Sequence, residues 1–208
     1  MSSIVSDEQI TFLLQPYEVT VDRSLCEKVR TYLDLLLLWN RTIALTTVTD
    51  PKDILRFHFG ESFFAAEVLG LDQGRLADLG SGAGFPGLAL KIIRPGLDVT
   101  LIESNGRKAA FLSEVCRRLD LSHVKVAKVR MEDVAREEAY EFSTARALGS
   151  FKCSLAWSKT HLGPAGRAIL WVGADDAEDI ARCDDWSWLA PIHIPGSDRR
   201  VILSGSPK

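Results

Sequence analysis

The chain has 208 residues, of which 46% are hydrophobic and 25% are charged, and its net charge at pH 7 is −3. This composition can build a full hydrophobic core and fits one ordinary domain, with or without an appended segment. The small negative charge argues against sequence-independent binding of nucleic acid over the whole surface, but it allows a local basic face.

The N-terminal residues carry neither the basic region nor the apolar stretch of a signal peptide. The longest apolar run, from Leu35 to Trp39, is too short to span a membrane. None of the cysteines forms a CxxC pair, so the sequence suggests neither a metal site nor a redox dithiol. We therefore expect a reduced cytoplasmic protein, and we take it to be a monomer. The four cysteines are Cys26, Cys116, Cys153 and Cys183.

Residues 1–72 predict a helical N-terminal cap, which we expect to face the substrate. Ser6 to Gln9 resembles a capping box at the start of a first helix. Asp22 can cap a longer helix with one apolar stripe. At Asp50-Pro51 a further helix begins, with proline in the first helical position.

Residues 73–208 alternate between strand and helix, which predicts an α/β fold with a parallel sheet and right-handed crossovers. A turn at Gly163 to Gly166 precedes the last parallel strand, and Pro191–Ile194 with Arg200–Leu203 predicts a closing hairpin. The predicted strands are Arg75–Leu79, Asp98–Glu103, Val124–Val129, Phe142–Ala145 and Arg167–Val172. The predicted helices are Pro86–Ile93, Arg107–Leu119, a short one near Val134, and Lys152–Leu162.

A glycine-rich loop follows the first of these strands, from Asp78 to Gly87. Glycines allow the backbone to approach a ligand closely, because no Cβ intervenes and positive φ is permitted. Pro86 suits the first turn of the next helix. Glu103, at the end of the second strand, is placed to accept hydrogen bonds from ribose hydroxyls.

The loop alone fits two nucleotide cofactors. Gly82 to Gly87 matches the dinucleotide fingerprint GxGxxG, whereas Asp78 to Gly84 matches the loop of S-adenosylmethionine (SAM) enzymes. Asp78 favours SAM, because its carboxylate can face the cationic end of that molecule. An NAD-binding oxidoreductase would also need a hydride-transfer residue set, and no Tyr-x-x-x-Lys pair follows the fourth strand. Glycines in a tight turn that binds nothing remain the structural alternative.

Charge is unevenly distributed along the chain. The segment from Lys91 to Arg130 holds nine bases and four acids, a local balance of +5, whereas the segment from Asp175 to Asp185 is acidic. A solvated helix face explains much of this pattern, and contact with RNA phosphates is the functional alternative. From the residues alone, His58 between two phenylalanines favours a core histidine, and Arg146 favours either a salt bridge or a ligand contact.

Several short segments, spread over most of the chain, match one known family. They are Leu38-Trp39-Asn40, Leu45-Thr46, His58-Phe59-Gly60-Glu61-Ser62, the loop Asp78–Gly87, Glu103-Ser104, Gly106-Arg107-Lys108, Phe111-Leu112 and Thr144-Ala145-Arg146-Ala147. Together they resemble the bacterial 16S rRNA guanine-N7 methyltransferases of the RsmG (GidB) family. The glycine loop, in its form GSGAGFPG, is the most specific of these segments.

The resemblance implies a class I SAM-dependent methyltransferase sheet, which is Rossmann-like, with a helical N-terminal cap. It implies transfer of the SAM methyl group to N7 of one guanosine in the 530 loop of 16S rRNA, in the small ribosomal subunit. It also implies catalytic or substrate-facing roles for His58 and Arg146. Together with the reading of the loop, the expected cofactor-binding residues are Asp78, Gly80, Gly82, Gly84, Phe85, Glu103, Met131, Glu132 and Arg146.

The sequence departs from the family pattern at four positions. Ala44 replaces an asparagine, Glu61 an aspartate, and Met131 a smaller residue. Val172 stands where the family usually has a lysine, just before Gly173. That last departure keeps open the alternative of a protein that binds SAM or RNA without catalysing transfer.

Overall fold

The computed structural model describes residues 5–136, 139–146 and 151–208, and Ala147 and residues 1–4 lie outside them. One sheet runs through these residues in the order β3-β2-β1-β4-β5-β8-β6, and β7 pairs with β8. Strands β1 to β5 are parallel, and β8 is antiparallel to β5, β6 and β7. The strands are β1 (Gln73–Leu79), β2 (Gly96–Ile102), β3 (Val124–Ala127), β4 (Tyr140–Arg146), β5 (Leu162–Gly173), β6 (Trp186–Trp188), β7 (Ile192–His193) and β8 (Arg200–Pro207).

Helices cover both faces of this sheet and form the N-terminal cap. The cap also contains a 3-10 turn at Gln15–Tyr17 and a π-helical turn at Leu55–Gly60, and a 3-10 turn at Met131–Asp133 lies between β3 and β4. The helices are α1 (Asp7–Leu14), α2 (Arg23–Trp39), α3 (Pro51–Ile54), α4 (Glu61–Leu69), α5 (Gly87–Ile93), α6 (Gly106–Arg118), α7 (Phe151–His161) and α8 (Ala174–Ala181). Among the described residues, no helix combines the length and apolar character needed to cross a membrane.

The strand order places a topological switch between β1 and β4. From β1 the chain proceeds to β2 and β3 on one side, and then returns to β4 and β5 on the other. Helices on opposite faces leave a crevice at such a point, outside the carboxyl ends of the strands. The glycine loop after β1 and Arg146 at the end of β4 both lie there.

The cap and the sheet share one hydrophobic core. Tyr32, Leu36 and Phe59 of the cap belong to the same buried cluster as Leu88 of α5 and Phe111 of α6. A second cluster fills the opposite face of the sheet, beneath α7 and α8. Because the first cluster is continuous, the predicted division at residue 72 does not separate two hydrophobic cores.

Tyr32 joins the cap to the glycine loop. Its hydroxyl donates a hydrogen bond of 2.6 Å to the carbonyl of Ala83. Its ring stacks on Phe85 with a centroid distance of 5.1 Å and an interplanar angle of 6°. The loop is thus held from outside by a helix that precedes it by some fifty residues.

Most of the local predictions are confirmed. Ser6 and Gln9 form both hydrogen bonds of the capping box, and Asp22 accepts from the N–H of Leu25. Asp50 caps α3, with Pro51 in its first position. The five predicted parallel strands and the hairpin of β7 and β8 are present, with ends that differ by a few residues.

Four local expectations were incomplete or wrong. The turn predicted at Gly163 to Gly166 is an irregularity within β5, where the register with β4 shifts. The acidic segment that begins at Asp175 lies largely in α8, and β6 was not predicted. Lys91 is not part of a surface patch, because it is buried and its ammonium donates to the carbonyls of Pro95 and Leu97.

A substitution at Gly84 tests how tightly α2 packs on the glycine loop. It has a φ of +85°, and a Cβ there would overlap the hydroxyl of Tyr32 and lie 2.8 Å from Leu88 Cδ1. We expect Gly84→Ala to lower the free energy of unfolding by about 2–4 kcal/mol, through overpacking added to backbone strain. Gly82→Ala is the matched control, since its φ is also positive but its Cβ would meet only the Gly80 oxygen at 3.7 Å.

Chemical denaturation of the two variants measures this difference. Gly82→Ala should lower the free energy of unfolding by about 1 kcal/mol, because only the backbone conformation is unfavourable there. Equal losses in both variants would contradict the inference that the cap packs tightly on Gly84.

Candidate functional site

Two neighbouring clefts open at the carboxyl edge of the sheet, and both include Gly80. Cleft A has a volume of about 300 Å³ and lies over the ends of β2 and β3. Cleft B has a volume of about 420 Å³ and lies between the glycine loop and the cap. Cleft A is lined by Gly80, Ile102, Glu103, Ser104, Val129, Arg130, Met131 and Glu132. Cleft B is lined by residues 44–48, His58, Gly80, Ser81, Gly82, Ala83, Phe85, Lys108 and Arg146.

Glu103 forms the junction between cleft A and the glycine loop. Its carboxylate accepts hydrogen bonds from the N–H of Gly82 at 2.9 Å and of Asn105 at 2.8 Å. Each carboxylate oxygen can accept a second bond, so the group remains able to bind a ribose diol. Met131 and Glu132, two of the expected cofactor-binding residues, line the same cleft from the turn after β3.

The glycine loop leaves space above Gly82. Apart from the Gly80 oxygen at 3.7 Å and the two adjacent residues, no heavy atom of the described residues lies within 4 Å of a Cβ built there. A side chain at this position would therefore extend into space beside cleft B. This open space and the buried acceptor at Glu103 fit SAM, whose ribose diol needs such an acceptor.

Asp78 lies beneath the loop. It is 1% exposed, it lines neither cleft A nor cleft B, and its carboxylate accepts a hydrogen bond of 2.7 Å from Thr144. Burial raises the pKa of Asp78 to about 6, although the hydrogen bond from Thr144 opposes that shift. Its direct contact with SAM stays a prediction, because in this structure the side chain braces the loop against β4.

His58 lies in the wall of cleft B. Its ring stacks on Phe85 with a centroid distance of 4.9 Å, and Nε2 lies 2.8 Å from the hydroxyl of Thr46. Burial, reinforced by the positive charge of Arg146, lowers the pKa of His58 to about 3. The imidazole is therefore neutral throughout the physiological pH range.

Asn40 holds the segment that lines cleft B beside His58. Its side-chain oxygen accepts from the N–H groups of Leu45 and Thr46 at 2.9 and 3.1 Å, and its amide donates to the Thr46 carbonyl at 3.0 Å. Thr46 then contacts His58, so a residue that ends α2 fixes the segment that positions the histidine. The sequence alone placed Asn40 only in a segment shared with the family, and its position five residues before Leu45 was the available signal.

Arg146 is held by a buried carboxylate between two arginines. Its Nη2 lies 3.1 Å from Glu61 and donates to the Phe57 carbonyl at 2.5 Å. Arg200 lies 2.9 Å from the other oxygen of Glu61, and its guanidinium covers the ring of Phe57 at 4.6 Å. The predicted salt bridge of Arg146 is confirmed, and its contact with a ligand stays a prediction, for which its place in the lining of cleft B is suitable.

Burial disfavours the charged forms of Glu61 and Arg146. Burial raises the pKa of Glu61 above its usual range, and burial lowers the pKa of Arg146, even though each ion favours the charged form of the other. Nη1 of Arg146 has no hydrogen-bond partner among the described residues. A buried donor without a partner costs free energy, and a ligand acceptor in the cleft would remove that cost.

A third cleft, C, of about 350 Å³, adjoins cleft B across Arg146. Val172 lines it at the position where a lysine was expected from the resemblance, and Arg200 lines it too. Arg200 pairs with Gly173 across the antiparallel ladder of β5 and β8. The cleft therefore keeps a cation despite the substitution at Val172.

The structure thus brings together most of the predicted site residues. Gly80, Glu103, Met131 and Glu132 line cleft A, while Gly80, Gly82, Phe85, His58 and Arg146 line cleft B. Asp78 and Gly84 line neither cleft and support the loop from below and from the side. Thr46, Lys108 and the partners of Arg146 were not predicted, because their positions depend on contacts between distant segments.

Comparison with known proteins agrees with this geometry. The sequence profile of the family "rRNA small subunit methyltransferase G" (GidB) matches residues 25–190. A relative of that name from Xanthomonas axonopodis is 38% identical over 189 residues, which cover 88% of each chain. Another, from Xylella fastidiosa, is 42% identical over 161 residues, covering 77% of this chain and 75% of that protein.

A solved structure shares the fold at much lower identity. The glycopeptide N-methyltransferase MtfA, in its complex with sinefungin, superposes with a TM-score of 0.62 and 12% identity, covering 73% of this chain and 87% of that one. The sheet and its carboxyl-edge clefts are those of a class I SAM-dependent methyltransferase. More specifically, the chain belongs to the rRNA small subunit methyltransferase G (GidB) family.

A substitution at Glu103 tests the assignment of cleft A as a SAM-binding cleft. We expect Glu103→Ala to weaken binding of SAM and S-adenosylhomocysteine by about 1–3 kcal/mol, because the ribose loses a charged acceptor. Asp133→Ala is the control, since Asp133 is exposed and does not line the cleft. Isothermal calorimetry measures both variants, and NAD should not bind to the unaltered protein. Unchanged SAM affinity in Glu103→Ala, or measurable NAD binding, would contradict the assignment.

The lowered pKa of His58 predicts that the free energy of unfolding decreases at acidic pH. Its pKa is about 3 in the folded protein and about 6.5 in the unfolded chain. Its contribution to stability is therefore present above pH 6.5 and is lost as the pH falls towards 3, by about 1.4 kcal/mol per pH unit. We expect His58→Asn to abolish this part of the acid sensitivity, as measured by urea unfolding between about pH 7.5 and 4.5. An activity profile with an inflection near pH 6.5 that disappears in His58→Asn would show that His58 titrates and would contradict its neutral state.

Proposed function

We propose that this protein methylates N7 of one guanosine in the 530 loop of 16S rRNA, with SAM as the methyl donor. The observation that carries the proposal is the junction of clefts A and B at Gly80. Cleft A offers a carboxylate for a ribose, and cleft B offers a flat aromatic wall and a cation. The names of the relatives, which are rRNA small subunit methyltransferases, support the ribosomal substrate.

The chemistry needs alignment more than proton transfer. SAM, when bound, supplies an electrophilic methyl group on a sulfonium. Guanine N7 carries a free lone pair, so no group has to remove a proton before the attack. The protein can therefore accelerate the reaction by placing N7 in line with the methyl group and by excluding water. A neutral His58 is consistent with this requirement.

Arg146 and the aromatic wall are suited to orient the base. Guanine presents two acceptors, O6 and N7, on one edge. The unpartnered Nη1 of Arg146 can donate to O6, which leaves N7 free to react. The stacked rings of His58 and Phe85 supply a flat apolar surface beside the cation. Glu61 keeps the guanidinium in place throughout.

The cap takes the substrate-facing role in this proposal. Residues 44–48 form one wall of cleft B, and Asn40 fixes their backbone. We take the working unit to be a cytoplasmic monomer, with small-subunit rRNA as its partner. A protein that binds SAM or RNA without catalysis is the alternative, and a transfer assay separates the two.

The decisive experiment maps 7-methylguanosine in 16S rRNA from cells with and without this protein. We expect one guanosine to lose its modification in the deletion strain and to regain it with a plasmid copy. In vitro, small subunits, deproteinised 16S rRNA and an unrelated RNA are compared as substrates with labelled SAM. Equal methylation of the unrelated RNA would contradict rRNA specificity, and SAM binding without transfer to any of these RNAs would favour the silent alternative.

A conservative change at Arg146 adds a test at residue level to the same assays. Arg146→Ala would leave Glu61 without one of its cations at a buried site, which costs about 3–5 kcal/mol. Arg146→Lys keeps the charge and loses the planar fork, so we expect a lower kcat with SAM affinity and thermal stability nearly retained. Arg182→Lys, at an exposed site in the turn after α8, is the control. A normal kcat in Arg146→Lys would remove the guanidinium from the mechanism.

A further inference from the structure

We propose that four cations at one edge of the sheet form a phosphate-binding surface that leads single-stranded RNA into cleft B. They are Arg107, Lys108, Lys128 and Arg130, and we call them the edge cations. The inference rests on the proposed function, because it takes RNA as the substrate. It adds the place on this chain where the RNA backbone lies.

The edge cations border both clefts. Arg107 and Lys108 lie in the first turn of α6, which follows β2, and Lys128 and Arg130 directly follow β3. Lys108 lines cleft B and Arg130 lines cleft A. A strand bound along this surface therefore meets the site where the methyl group is transferred.

The edge cations have no acidic side chain paired with them in the described residues, and one of them lies against the start of α6. A Cβ at Gly106 would lie 3.0 Å from Cε and 3.3 Å from Nζ of Lys128, so this ammonium lies against the first turn of α6. The backbone N–H groups of a helix N-terminus already make that end positive. None of the edge cations forms an ion pair within the described parts of the chain. Phosphates would neutralise the cluster.

Four of the five other bases of the same segment are paired, buried or distant, and the fifth, Lys125, is exposed within β3 and lines neither cleft A nor cleft B. Lys91 is buried against backbone carbonyls, Arg94 pairs with two acidic side chains, and Arg117 pairs with Glu114. Arg118 is exposed in the last turn of α6, ten residues beyond Lys108, which is about 15 Å along the helix. The broad basic segment seen in the sequence therefore reduces to a compact group beside the clefts.

Acidic neighbours do not cancel this charge. Glu132 and Asp133 are exposed and follow Arg130, so the four cations and two acids leave a local balance of +2. Glu103, the remaining acid of this edge, is buried and already accepts two backbone hydrogen bonds. The edge cations thus form a positively charged surface, to which a polyanion can bind although the whole protein is weakly acidic.

A pair of matched double variants tests the proposal. Arg107→Ala with Lys108→Ala removes two edge cations, and Arg117→Ala with Arg118→Ala removes two charges from the other end of the same helix. RNA affinity is measured by fluorescence anisotropy over a range of salt concentrations, without SAM and without turnover. Calorimetry with SAM and thermal unfolding are run on both proteins.

We expect the edge variant to bind RNA about tenfold more weakly at moderate salt. The slope of log affinity against log salt should become shallower by about 1.4, because each single-strand phosphate contact contributes about 0.7. The KM for RNA should rise in the same proportion, while SAM affinity stays unchanged. The control variant should keep the slope of the unaltered protein.

Three outcomes would overturn the proposal. One is an equal loss of RNA affinity in both variants. Another is an unchanged salt slope in the edge variant. The third is a loss of SAM affinity there, which would mean that Lys108 binds the carboxylate of SAM. Because the affinity measurement needs no turnover, an unaltered protein that binds RNA through these residues but methylates none would refute the proposed function and leave the surface standing.

Discussion

The contact of Tyr32 with the glycine loop is the constraint on which the rest of the site depends. The hydroxyl of Tyr32 holds the Ala83 carbonyl, and its ring stacks on Phe85, which in turn stacks on His58. The same helix, α2, is followed directly by Asn40, which fixes the segment of residues 44–48 that lines cleft B. One helix therefore sets the positions of both the glycine loop and this segment.

The charged groups of the site are positioned at a cost in stability. Burial raises the pKa of Glu61 and of Asp78, and burial lowers the pKa of Arg146. A buried ion pair seldom stabilises a protein more than a packed apolar group of the same size would. Glu61 therefore contributes orientation rather than stability, because it holds the guanidinium groups of Arg146 and Arg200 in place.

Local patterns explain what was predictable from the sequence. The glycine loop and the alternation of strands and helices depend on neighbouring residues, and the carboxyl ends of parallel strands share an edge, which brought Glu103 and Met131 into one cleft. The two arginine partners of Glu61 could not be predicted, because they come from β4 and β8 and meet only in the folded sheet. Lys91 was misassigned because a count of charges carries no information on burial.

The position of β8 in the sheet has a consequence for assembly. This strand follows every other strand in sequence, yet it lies between β5 and β6 rather than at an edge. Until it arrives, β5 is an open edge, β6 has no partner in the sheet, and Glu61 lacks the cation that Arg200 provides. The glycine loop is braced by strands that precede β8 in the sequence, whereas the charge balance around Glu61 is completed only by the final strand.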